Sequence, residues 1–211
     1  MRLSILLLVL LLGAMAVVGY LDWRAGDDDP AFDSLALAKA DVLVIGDSVT
    51  DQSSDQILAA MPDREVTVIG LSGLRTDQLR PVIEDTLGGV DRPPVAVVMA
   101  GYNDVWQSTE REAPVDELMA VMAGVDCAVW VLVPTKGPWD HDRALAFDAR
   151  IREAADAAGV AVDTRWRDSV DGLDGPDPDP DLVQEDMVHP SDAGRIRVAE
   201  VMAAAVGDRC D

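Results

Sequence analysis

The stretch Val42 to Gln52, VLVIGDSVTDQ, decides how the rest of the chain is read. Four apolar residues, Val42 to Ile45, stop at Gly46, and Asp47 and Ser48 follow at once. An uninterrupted apolar run of strand length marks a strand buried on both faces. Such strands belong to parallel sheets covered by helices. An acid and a hydroxyl at the end of one have two readings. They cap the helix that follows, or they present Ser48 for chemistry.

Working outward, the same pattern recurs. Strand-length apolar runs lie at 65–70 (EVTVIG), 94–101 (PVAVVMAG), 128–134 (AVWVLVP) and, more weakly, 159–163 (GVAVD). Amphipathic stretches separate them, at about 50–61, 74–86, 114–123 and 141–158. A last helix is expected over about 191–206, started by Pro190 and Ser191. Strands alternating with helices predict a doubly wound, three-layer α/β/α sandwich with right-handed crossovers. Ligands in such folds bind beyond the carboxyl ends of the strands. The segments that matter are therefore Asp47-Ser48, LSGLRTD (71–77), GYND (101–104), TKGPWDHD (135–142) and the stretch from Thr164 to Gly194, read here as one long loop.

Composition narrows the function. The 211 residues carry 39 acidic and 17 basic side chains, a net charge of −22. Such a surface repels phosphate backbones and anionic head groups, so nucleic acid is not an expected partner. The first 29 residues stand apart. Arg2 precedes an apolar run, Leu3 to Leu21, and an acidic link, GDDDP, follows. As a helix that run is about 28 Å long, enough to cross a bilayer core. Residues 1–29 are read as a signal anchor or a cleaved signal peptide plus link, and 30–211 as the folded domain. Either way the domain is expected to be extracytoplasmic, membrane-anchored or secreted. The two cysteines, Cys127 and Cys210, fall at one end of the expected sheet. They are expected to form a disulfide, with two free thiols as the alternative.

Two histidines are candidates for a base, His141 and His189. His189 is preferred because Asp186 stands three residues earlier, on the same side of a turn. That carboxylate would orient the imidazole, whose other nitrogen would take the proton of Ser48. His141, Trp139 and Trp106 are expected to shape the pocket or to pack. The backbone N–H of Ser48, the N–H of Gly73 and the side chain of Asn103 are candidate donors for an oxyanion. The Pro- and Asp-rich stretch 171–181 lacks EF-hand spacing, so calcium is not expected there. No cofactor or metal is expected.

These blocks, in this order, resemble the SGNH hydrolase superfamily, also called GDSL esterases or lipases. Gly46-Asp47-Ser48 matches its first block, Gly73 its second, Gly101-Asn103-Asp104 its third, and Asp186-His189 its last. The resemblance implies a flavodoxin-like parallel sheet of five strands, order 2-1-3-4-5. It implies a serine esterase with Ser48 as nucleophile, His189 as base and Asp186 as its partner, and Ser48, Gly73 and Asn103 as oxyanion donors. The expected substrate is a small-molecule or cell-envelope ester, and the expected state a monomer. Two alternatives stand beside this reading. One is a non-catalytic exported glycan-binding module, the other an O-acyltransferase using the same triad.

Overall fold

In the computed structural model, residues 40–210 are described, other than 90, 91, 112 and 173. The apolar segment 3–21 and the acidic link lie outside the described residues, and so does the boundary drawn after residue 29. Among the described residues no helix is long and apolar enough to cross a membrane.

Five strands form one sheet: β1 (Val42–Gly46), β2 (Val66–Gly70), β3 (Val95–Met99), β4 (Cys127–Val131) and β5 (Ala161–Asp163). Their order is β2-β1-β3-β4-β5, and every pair is parallel. Eight helices lie among the described residues. They are α1 (Ser48–Gln52), α2 (Ser54–Ala60), α3 (Thr76–Gly88), α4 (Tyr102–Gln107), α5 (Val115–Met122), α6 (His141–Ala158), α7 (Arg165–Asp171) and α8 (Asp192–Cys210).

All five residues of β1 are buried, as are all five of β3. Alternation sorts their side chains between two cores. Val42, Val44, Val95, Val97 and Met99 join Ile57 of α2, Trp166 of α7 and Val198, Val201 and Met202 of α8 in one cluster. Leu43, Ile45, Ala96 and Val98, equally buried, point the other way, to the face that α3, α5 and α6 cover. Each fully buried Val, Leu or Ile contributes roughly 1.5–3 kcal/mol, so the doubly covered central strands are the main source of cohesion.

The helices depart from the expected pattern in three places, one of which is α4, formed where only the strand-end segment GYND was read. The stretch 50–61 is two helices, because Ser53 turns its hydroxyl back to donate to the Val49 carbonyl at 2.7 Å. Part of the stretch read as one long loop is helix α7. It is held by Trp166, which is fully buried and donates its Nε1–H to the Tyr102 hydroxyl at 2.6 Å.

The cysteines are joined: Cys127 at the start of β4 and Cys210 at the end of α8 form a disulfide. It ties the C-terminal helix to the sheet edge opposite the one where the strands end. Arg165 adds a second tie between α8 and the sheet, pairing with Asp163 at the end of β5 and donating to Asp208 at 2.7 Å.

Candidate active site

Because β2, β1 and β3 are neighbours and parallel, their carboxyl ends lie side by side. Gly46, Gly70 and Met99 are in register there. The chain leaves β1 as Asp47-Ser48, β2 towards Gly73 and β3 towards Asn103. A cavity of about 430 Å³ opens at this edge, lined by Ser48, Gly73, Tyr102, Asn103, Asp186 and His189 among others.

Gly46 is obligatory at the turn. A side chain there would meet the Met99 carbonyl at 2.4 Å and the Thr50 hydroxyl at 2.0 Å. Asp47 then caps α1, accepting from the Val49 N–H at 3.1 Å. Ser48 is the first residue of that helix, so its N–H lies outside the intrahelical ladder. The acid caps the helix, and the serine beside it lines the cavity.

His189 arrives from the far end of the chain. Its Nε2 lies 3.1 Å from Ser48 Oγ, the geometry in which the hydroxyl donates to the ring. On the other side His189 Nδ1 is 2.6 Å from Asp186 Oδ2. The second carboxylate oxygen of Asp186 accepts from the N–H groups of Val188 and His189, both at 3.0 Å. Partial burial pushes the Asp186 carboxyl up, but the bonds from the His189 ring and from these two N–H groups outweigh it. The net result is a carboxyl below its ordinary range. The loop closes on itself. Gln184 N–H donates to the His189 carbonyl at 2.8 Å, and Gln184 Nε2 donates to the Pro190 carbonyl at 2.9 Å. Ser191 caps α8 by accepting from Gly194 N–H at 3.0 Å.

Gly73 has φ +79, and a side chain there would touch nothing. Conformation, not space, makes it glycine. Asn103 donates one amide hydrogen to the Leu74 carbonyl at 3.0 Å, which leaves the second hydrogen of that amide. The adjacent Asp104 is a residue whose part sequence reasoning missed. Buried, it accepts from Thr76 N–H at 2.9 Å and Thr76 Oγ1 at 2.8 Å. It thereby fixes the start of α3 and, with Asn103, the loop that carries Gly73. The only hint was its place beside Asn103, because Thr76 is distant in sequence.

Asp47 is the other residue whose environment the sequence did not reveal. It is fully buried, and its Oδ2 has no partner among the described residues. Burial lifts its carboxyl from an ordinary 3.8 to about 7. The bond from Val49 N–H opposes that rise, and the nearby charge of Asp104 adds to it.

The rival base is elsewhere. His141 begins α6, with Nδ1 3.1 Å from the Thr135 carbonyl, and does not line the cavity. Trp139 shares that carbonyl through Nε1 at 3.0 Å and packs edge-on against Tyr102, ring centres 5.9 Å apart. Of the three residues expected to shape the pocket, Trp106 alone lines the cavity. Among the described residues no group of three or more His, Cys, Asp or Glu side chains is placed to hold a metal ion.

Comparison with known proteins bears on the family of the chain. The model of the GDSL-like lipase/acylhydrolase family matches residues 44–195, well over half of the chain. The chain belongs to the GDSL-like lipase/acylhydrolase family. It is an ester-bond hydrolase of the SGNH superfamily. Among curated proteins none matches it in sequence. Similar solved structures include a GDSL-like lipase from Bacteroides thetaiotaomicron, 18% identical, with a TM-score of 0.65. That match covers 79% of this chain and 87% of the other. A variant of an acetyl xylan esterase from Geobacillus stearothermophilus is 17% identical with a TM-score of 0.59. There the coverage is 79% of this chain and 94% of the other. At these identities the likeness establishes the fold, and the hydrolase assignment comes from the family match.

Proposed function

We propose that this GDSL-family hydrolase is an exported serine esterase that cleaves small O-acyl esters through an acyl-enzyme. The observation that carries the reading is the unbroken chain from Asp186 through His189 to Ser48, at 2.6 and 3.1 Å, inside one cavity with Gly73 and Asn103.

His189 Nε2 takes the Ser48 hydroxyl proton as Oγ attacks the ester carbonyl. The carbonyl oxygen becomes an oxyanion, received by the N–H groups of Ser48 and Gly73 and by the Asn103 amide. Each such donor lowers the barrier by about 3 kcal/mol. The intermediate collapses with cleavage of the C–O bond, and the alcohol leaves with the proton from His189. Water then gives its proton to His189 and attacks the acyl-serine, which returns Ser48 and releases the acid. Asp186 holds the Nδ1–H tautomer throughout and stabilises the imidazolium.

Export is supported by the Arg2-led apolar segment and by the Cys127–Cys210 disulfide, a bond that persists in oxidising compartments. Two measurements test the reading. Hydrolysis of p-nitrophenyl acetate should fall by at least about a thousandfold in Ser48→Ala. A phosphatase reporter fused after residue 211 should be active only when carried outside the cytoplasm. Full esterase activity in Ser48→Ala would overturn the assignment of the nucleophile.

A further inference from the structure

Trp106 is 53% exposed at the mouth of the cavity that holds Ser48 and His189. Indole is a side chain that proteins bury for most of its area. Of the large apolar side chains left exposed among the described residues, Trp106 is the aromatic one, and it lies beside Ser48. It stands one turn after Tyr102 on α4, and both residues line the same cavity.

The rest of the lining says what that occupant is. Tyr102, Trp106 and Val188 are its apolar side chains, too few and too open to sheathe a long acyl chain. Around them lie Gln52, Ser72 and Asn103. Amides and hydroxyls both donate and accept, and so do alcohol hydroxyls. These groups are already held in place. Ser72 donates to Asp51 at 2.7 Å, and Gln52 accepts from Gln184 at 3.4 Å. No lysine or arginine lines the cavity, Asp186 does, and the whole chain carries −22. An anionic substrate is repelled. An uncharged pyranose fits, because its axial C–H face is apolar enough to lie on an indole and its rim is all hydroxyl.

We infer that Trp106 is a platform for an uncharged sugar ring, the alcohol part of the ester that Ser48 cleaves. The Ser48 reading is assumed for the catalytic half of this inference but not for the binding half.

The test uses full-length protein and partially O-acetylated neutral gluco-oligosaccharides. Calorimetry on Ser48→Ala should show binding. Adding Trp106→Ala should weaken it about tenfold or more, with Trp106→Phe intermediate. In the otherwise intact enzyme, the kcat/KM ratio of acetylated oligosaccharide to ethyl acetate should drop about tenfold in Trp106→Ala and recover partly in Trp106→Phe. Equal affinity with and without the indole overturns the inference. So does an unchanged ratio, or a loss confined to p-nitrophenyl octanoate, which would give Trp106 to the acyl chain. A protein that binds the sugar through Trp106 but hydrolyses neither ester would keep this inference and refute the esterase reading.

Discussion

Replacing Asp47 with asparagine isolates one buried charge. The carboxyl precedes Ser48, is fully buried, and titrates at about 7 against an ordinary 3.8. A displacement of about three pH units is worth about 4 kcal/mol between the two protonation states. Its sign follows from proton counting. Between about pH 4 and pH 7 the unfolded chain has released the Asp47 proton and the folded chain still holds it. Unfolding free energy therefore falls as pH rises through that window and levels off above it. Asparagine keeps an oxygen to accept from Val49 N–H but has nothing to ionise. Other groups titrate alike in both proteins, so the stability difference, Asp47→Asn minus wild type, is the quantity to follow. It should be near its minimum at pH 4 and about 4 kcal/mol more favourable to the variant at pH 8. Urea unfolding followed by circular dichroism at pH 4, 6 and 8 measures it. A difference that stays constant across this range, within about 1 kcal/mol, would show that the carboxyl does not titrate where its burial places it.

Two further outcomes test the frame around the site. Asp186→Asn should lower kcat by about 10⁴-fold while leaving unfolding free energy within about 1 kcal/mol, because the half-exposed side chain orients the imidazole more than it supports the fold. Steady-state kinetics and a urea titration on one preparation separate those effects. Replacing Cys127 and Cys210 together with serine removes a crosslink spanning 83 residues. The chain-entropy relation gives about 4.5 kcal/mol for a loop of that length. The midpoint of urea unfolding should drop accordingly, with the value of m unchanged or slightly raised.

How much of this was legible depended on whether neighbours in sequence or neighbours in space carried the signal. Strand β1 and helix α6 lie where the residues alone put them, since continuous burial and a regular apolar spacing are local facts. Helices α4 and α7 escaped because six or seven residues are too few to show a period. What holds them is the distant bond between Trp166 and Tyr102. Strand order followed from the resemblance to the SGNH superfamily, since apolar strands of equal length do not say which lies beside which. Within the site, Asp186 and His189 were readable as a pair because three residues separate them. Asp104 was not readable as the clamp on Thr76, since 28 residues separate those two and only the folded sheet brings them together.

The opening stretch also shows why capping and chemistry are not competing uses of the same residues. A side-chain cap at the start of a helix answers the donors of its second and third residues. Asp47 does so for Val49, the second residue of α1. The first donor, the N–H of Ser48, is not taken by that cap, and as the first residue of α1 it lies outside the intrahelical ladder. A better local cap would not silence it, and a weaker one would let the turn fray and carry the hydroxyl away from His189. Gly46 permits this arrangement because any larger residue would collide with Thr50 and with the Met99 carbonyl. Three successive residues thus have three separable duties: Gly46 lets the turn close, Asp47 holds the helix, and Ser48 lines the cavity with its hydroxyl 3.1 Å from His189 Nε2.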